Sequence, residues 1–174
     1  MKKIIFKNGL IAGAIVVFFM ALTTYLWKTS DIKPTAVFGF ATMFLAFTFI
    51  FIGIKNYRDN ENNGIISFGK AFTIGFFIAL IASVFYVTAW LFIYYNFIPD
   101  FMDLYRQCVL DDAKAAGDSA AAIKAQLAEV DQYKEMYKSP IMIILLTFME
   151  ILPLGIIVAL IAALILKRKA AVQS

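Results

Sequence analysis

The chain has 174 residues, of which 62% are apolar, 16% are aromatic and 16% are charged, and its mean hydropathy is +0.80. A soluble domain usually has about 45–50% apolar and about 25% charged residues, so this composition excludes an ordinary water-soluble domain and indicates a membrane protein. Because the chain has no histidine and one cysteine, it has no histidine-based catalytic triad, no His-ligated or multi-cysteine metal site and no intramolecular disulfide, and we expect neither cofactor nor metal.

Four runs with almost no charge are long enough to cross about 30 Å of hydrocarbon, a distance that takes roughly 20 helical residues. Of the 28 charged side chains, 27 lie outside these runs, and the runs lack the polar face of a surface helix. The sequence therefore predicts an all-α, four-helix membrane bundle in a single domain of residues 1–174. The predicted spans are Asn8–Trp27, Ala36–Ile54, Ala71–Tyr95 and Ile141–Leu166.

The first run begins like a secretory signal peptide, because Met1, Lys2 and Lys3 precede an apolar stretch. The stretch is too long for one, has no convincing small-x-small cleavage site, and ends in Tyr25 and Trp27, which suit an interfacial anchor. We interpret it as a retained membrane helix.

The link between the second and third spans runs from Lys55 to Lys70 and contains the turn cluster Asn62-Asn63-Gly64. Ser67 is placed to cap the third span.

Small residues recur every four positions within the spans, a spacing that lets helix backbones approach closely. They serve either packing inside one copy, which we favour, or dimerisation. The stripes are Gly9 and Gly13 in the first span, Ala71, Gly75, Ala79 and Ser83 in the third, and Gly155 and Ala159 in the fourth.

The only sizeable polar region, Asn96–Pro140, predicts a helical hairpin over about residues 97–139. After Pro99, apolar residues recur at helical spacing and form a stripe of Phe101, Leu104, Tyr105, Cys108 and Val109. Gly117 interrupts the pattern, and Asp118 or Ser119 caps a second helix. The hairpin is either a ligand- or partner-binding cap or a solvated extension of the spans, and we favour the extension. Cys108 lies on its apolar stripe, where a packing role is favoured over a disulfide to a second copy.

The positive charges flanking short loops predict that both termini are cytoplasmic and that the hairpin lies outside the bacterial inner membrane. On this topology nine basic residues face two acids inside, whereas seven face nine acids outside. The net charge of +4 therefore reflects topology and not nucleic-acid binding. The inner basic residues are Lys2, Lys3, Lys7, Lys55, Arg58, Lys70, Lys167, Arg168 and Lys169.

Glu150 is the one charged residue within a span, about 5 Å from the midpoint toward the outer face. Such residues are costly, tend to face the bundle interior and often mark transport paths. At the same depth the other spans offer hydroxyls of Thr24, Thr42 and Tyr86, and no cation, so we expect a protonated Glu150 that donates to one of them. Pro153, three residues on, predicts a kink. The set is either interhelical glue, which we favour, or a proton or ion relay.

Two stretches resemble a known bacterial membrane family, that of domain of unknown function 4199. They are Tyr57-Arg58 with Gly64-Ile65-Ile66-Ser67-Phe68-Gly69-Lys70-Ala71-Phe72 and Gly75, and Glu150-Ile151-Leu152-Pro153-Leu154-Gly155 with Leu166-Lys167-Arg168-Lys169. The resemblance covers nearly the whole chain and implies a four-span inner-membrane protein, without an established activity or site residues to carry over.

These features favour a small non-enzymatic inner-membrane protein, structural or accessory to a membrane partner. The alternative is a small proton- or solute-coupled carrier that works as an oligomer around Glu150, Pro153 and Tyr86. A membrane enzyme is disfavoured because no acid-base or nucleophile constellation is visible. The expected partners are the lipid bilayer and either a second copy or an unknown membrane protein.

Overall fold

A computed structural model describes residues 1–30 and 35–168, apart from the Ala36 side chain. The predicted all-α class is confirmed, and the described residues contain no strand; an isolated antiparallel bridge joins Ile66 and Arg168. The helices are α1 Lys2–Ser30, α2 Ala36–Asn56, α3 Phe68–Asn96, α4 Phe101–Ala115, α5 Ala120–Met136 and α6 Pro140–Leu166. A π-helical turn, Tyr57–Glu61, continues from α2.

Four helices are long and apolar enough to cross a membrane, as the sequence predicted: α1, α2 with its π turn, α3 and α6. Each of these helices is longer than the span predicted from the sequence. Helix α1, for example, starts at Lys2 and has 29 residues. At a rise of about 1.5 Å per residue such a helix exceeds the hydrocarbon thickness. A helix of this length that crosses a bilayer therefore extends beyond the hydrocarbon.

Short polar side chains cap the N-termini of three of the helices. The Ser67 hydroxyl accepts from the Lys70 amide at 3.3 Å and the Ser119 hydroxyl accepts from the Ala122 amide at 3.2 Å. The predicted cap of the third span is confirmed, and Ser119 is the cap of α5. Thr35 caps α2 in the same way, which the sequence reading missed.

The contacts divide the chain into two compact units. The first contains the described residues of Met1–Ala89 and those from Phe148 to Arg168, and its core mixes large apolar side chains with alanines. Fully buried alanines are Ala12, Ala46, Ala71, Ala79, Ala82, Ala159, Ala162 and Ala163.

The predicted small-residue stripes lie at contacts between helices of this unit. A Cβ built on Gly9 would lie 2.8 Å from Ile81 Cβ, and one on Gly13 would lie 2.8 Å from Phe85 Cγ, so α1 packs closely on α3. A Cβ on Gly155 would lie 2.7 Å from Ala79 Cβ, so α6 approaches α3 as closely. The stripes serve packing within one copy, the favoured alternative.

The second unit, Trp90–Thr147, contains α4 and α5. Arg106 Nε donates to Asp131 Oδ1 at 2.8 Å, and Lys134 pairs with Asp103, so ion pairs link the two helices. The predicted apolar stripe of α4 is only partly buried, because Leu104 and Tyr105 are exposed. Two short polar helices bury too little surface for a core of their own, and in α4 only Met102 and Ala113 are buried.

We predict that Gly155→Ala destabilises the protein by about 1–3 kcal/mol, because the added methyl must push α6 away from α3 at Ala79. The matched control is Gly39→Ala in α2, where an added Cβ has nothing within 4 Å. The free energy of unfolding in a lipid or mixed-micelle titration measures both changes. Equal stability of the two variants would contradict the close contact.

Candidate functional site

The site is built on the contact between α3 and α6. Gly75 lies against Ala159 and Ala79 lies against Gly155, so residue numbers fall along α6 as they rise along α3 and the two helices are antiparallel. One turn further along α3 and one turn back along α6, Ser83 and Ile151 are both fully buried. This register brings Tyr86, three residues after Ser83, and Glu150, which directly precedes Ile151, to about the same level.

Tyr86 and Glu150 are hydrogen-bonded to each other. The Tyr86 hydroxyl donates to Glu150 Oε1 at 3.2 Å. Tyr86 is half-buried, whereas Glu150 is exposed on the surface of α6, next to Met149 with 71% of its surface exposed. The intramembrane carboxyl therefore lies on the outside of the first unit, and not in its interior as intramembrane carboxyls usually do.

The other two hydroxyls named by depth bond to their own helices. Thr24 Oγ1 donates to the Met20 carbonyl and Thr42 Oγ1 donates to the Phe38 carbonyl, each at 2.9 Å. Helix α6 continues through Pro153. The structure thus pairs Glu150 with Tyr86 alone of the three hydroxyl residues, and the functional role of the whole set stays a prediction.

Two buried polar side chains of the spans also hydrogen-bond to the backbone of their own helix. Asn8 Nδ2 donates to the Ile4 carbonyl and Ser83 Oγ donates to the Ala79 carbonyl, both at 2.8 Å. Such bonds satisfy a hydroxyl or amide without a partner from another helix. Within residues 1–30 and 35–168, no buried side-chain nitrogen or oxygen lacks a hydrogen-bond partner.

A second cluster joins three distant parts of the chain. We call it the basic end, and the residues in contact there are Met1, Arg58, Glu61, Ile66, Leu166 and Arg168. Arg58 Nη1 donates to the Leu166 carbonyl at 3.2 Å, and Ile66 and Arg168 exchange backbone hydrogen bonds of 3.0 and 2.9 Å. The amino group of Met1 contacts the Glu61 carboxylate. The start of α1, the link after α2 and the end of α6 therefore meet.

Sequence reasoning missed the contacts of the basic end. Tyr57 is buried there beneath the Lys70 ammonium, which lies 5.1 Å from the ring centroid, a cation–π contact. The available signal was the set of stretches that carry the family resemblance, since they contain both sides of the Arg58–Leu166 and Ile66–Arg168 contacts.

The chemistry open to the Tyr86–Glu150 pair is limited to hydrogen bonding and proton exchange, since it contains one carboxyl and one phenol. Among the described residues, no group of three His, Cys, Asp or Glu side chains is placed to hold a metal ion. One open depression, of about 360 Å³, lies near the basic end and does not include Glu150. Its lining residues are Ile52, Lys55, Asn56, Asp59 and Asn60.

The sequence model of one family, described as "Protein of unknown function (DUF4199)", matches residues 7–168. The chain belongs to this family. The matched region includes Tyr86 and Glu150 and most of the basic end, so both clusters lie within the DUF4199 domain. No curated protein and no solved structure matches the chain.

We predict that Tyr86→Phe lowers the free energy of unfolding by about 0.6–1 kcal/mol, the usual contribution of an interhelical hydrogen bond in a membrane protein. In a double-mutant cycle with Glu150→Leu, the second change should then cost less, because the bond is already lost. Tyr25→Phe, at an exposed position of α1, is the matched control. Additive costs of Tyr86→Phe and Glu150→Leu would show that the hydrogen bond contributes nothing.

Proposed function

We propose that this DUF4199 protein is a small non-enzymatic inner-membrane protein, with four spans and both termini in the cytoplasm, that is structural or accessory to a membrane partner. The observation that carries the proposal is the position of Glu150. A carrier that works as a single copy needs this residue in an interior cavity, whereas Glu150 is exposed on the surface of α6. A polar group on a surface that faces lipid is available to another membrane protein.

The packing of the first unit supports the same role. Where α3 meets α6, a single added methyl group at Gly75 or Gly155 would lie within 3.0 Å of a neighbouring side chain. Buried polar groups of the spans bond to their own helix backbones and form no chain of groups leading to Glu150 in the described residues. A closely packed helix contact of this kind suits a rigid accessory protein better than a transport path.

The charge at the basic end supports the proposed orientation. The start of α1, the link after α2 and the end of α6 meet there, and eight described Lys and Arg residues of these segments face only Asp59 and Glu61. Positive charges in short loops are retained on the cytoplasmic side. Lys33 and Lys169, which also entered the charge count, lie outside the described residues.

We predict opposite labelling of two exposed positions by a membrane-impermeant maleimide in spheroplasts. With Cys108 replaced by serine, Gln107→Cys in α4 should be labelled in intact cells, and Asn60→Cys at the basic end only after permeabilisation.

In proteoliposomes that contain a pH-sensitive dye, the wild type and Glu150→Gln should show the same proton flux as protein-free vesicles.

Two results would contradict the proposal. Labelling of Asn60→Cys in intact cells would reverse the orientation. A proton or solute flux that Glu150→Gln abolishes would establish the carrier instead.

A further inference from the structure

Glu150 is exposed, and in a bilayer its carboxyl would lack both a neutralising charge and hydrogen-bond partners from lipid. Estimates for a charged side chain at mid-bilayer begin at about 2.5–3.5 kcal/mol, and lipid tails offer no hydrogen bond. The spans contain no Lys or Arg that could neutralise an ionised carboxylate at this depth. The protonated form is therefore favoured, and it has its own O–H donor as well as acceptor oxygens.

The structure supplies one bond to this group, from the Tyr86 hydroxyl to Oε1. A protonated carboxyl has one O–H donor and two acceptor oxygens, so a single bond with Tyr86 leaves other donor or acceptor positions unused on this exposed residue. The outward face also contains Met149 and Ile157, which are 71% and 53% exposed, and Ile157 lies two helical turns from Glu150 on the same side of α6. We call Glu150, Tyr86, Met149 and Ile157 the carboxyl patch.

A second neutral carboxyl matches the first, because each then donates one hydrogen bond and accepts one. In a dimer with its two-fold axis along the membrane normal, each residue of one copy lies at the same depth as that residue of the other. A second copy therefore presents a carboxyl at the right depth without further adjustment. A different membrane protein would have to carry a matching hydrogen-bonding side chain at the depth of Glu150.

The small-residue stripes are not available for contact with a second copy. Gly9, Gly13, Gly75 and Gly155 already lie against side chains of their own copy. A second copy must consequently be held by polar bonding and by contact between large apolar side chains, which are what the carboxyl patch offers.

We propose that two copies of the protein associate in the bilayer through their carboxyl patches, with the two Glu150 carboxyls hydrogen-bonded to each other. The inference rests on the proposed function, since it requires a four-span accessory protein whose Glu150 faces outward. It adds the contact surface and the first partner, which is the protein itself.

The test measures self-association of the full chain in liposomes by single-molecule photobleaching over a range of protein-to-lipid ratios. Wild type should form dimers, and Glu150→Gln should retain them because a side-chain amide also donates and accepts. Glu150→Leu should raise the protein fraction at half-dimerisation by about tenfold, equivalent to about 1.4 kcal/mol. Thr48→Val removes another exposed span hydroxyl and should leave the dimer unchanged.

A second measurement holds even if Glu150→Leu fails to fold. In native membranes of the Cys108→Ser background, Ile157→Cys should form a disulfide-linked dimer under oxidation. Phe44→Cys in α2, which replaces a side chain of the same 53% exposure, should not.

Equal dimerisation of wild type and a folded Glu150→Leu would overturn the inference, as would monomers at every protein-to-lipid ratio. Cross-linking of Ile157→Cys to a different protein, without a homodimer, would also overturn it and leave the accessory function standing. A Glu150-dependent proton flux is the separate result that would remove the proposed function.

Discussion

The close approach of α3 and α6 is the constraint on which the arrangement of the first unit depends. Between helices in lipid there is no hydrophobic driving force, so association requires backbones near enough for extensive van der Waals contact. Gly75 and Ala79 on one helix and Gly155 and Ala159 on the other permit this approach. A contact made through such small residues allows one rotation and one register of each helix. That register sets Tyr86 beside Glu150 and turns the carboxyl away from the core.

The basic end secures the same helices by different means. The last carbonyls of a helix have no partner within it, and Arg58 donates to one of them at Leu166. The bridge between Ile66 and Arg168 adds two backbone bonds after the helix ends. These contacts link residues about a hundred positions apart in sequence and give a physical reason why the stretches resembling the DUF4199 family come from separate parts of the chain. The protein thus combines a close apolar contact in hydrocarbon with hydrogen bonds near the membrane surface.

Features set by local chemistry could be predicted from the sequence. The four spans follow from the absence of charge, and the Ser67 cap follows from a short hydroxyl side chain before an apolar run. Depth along a span could be calculated as well, and it named Tyr86, Thr42 and Thr24 as neighbours of Glu150. Depth does not give the rotation of a helix about its axis, however, and rotation decides which hydroxyl meets the carboxyl and whether the carboxyl faces inward. The stripe of α4 is only partly buried for a related reason, because helical spacing shows which residues share a face and not what that face packs against.

The outward position of Glu150 can be tested by the reaction of its carboxyl with a lipid-soluble fluorescent carbodiimide. Such reagents modify protonated carboxyls that are accessible from hydrocarbon, and a water-soluble carbodiimide serves as the control. In dilute liposomes that contain mostly monomers, we predict that the lipid-soluble reagent labels the wild type at Glu150 and that Glu150→Gln loses this label. A folded wild-type protein whose Glu150 stays unlabelled under these conditions would contradict an outward position, because its carboxyl would then be enclosed within the protein.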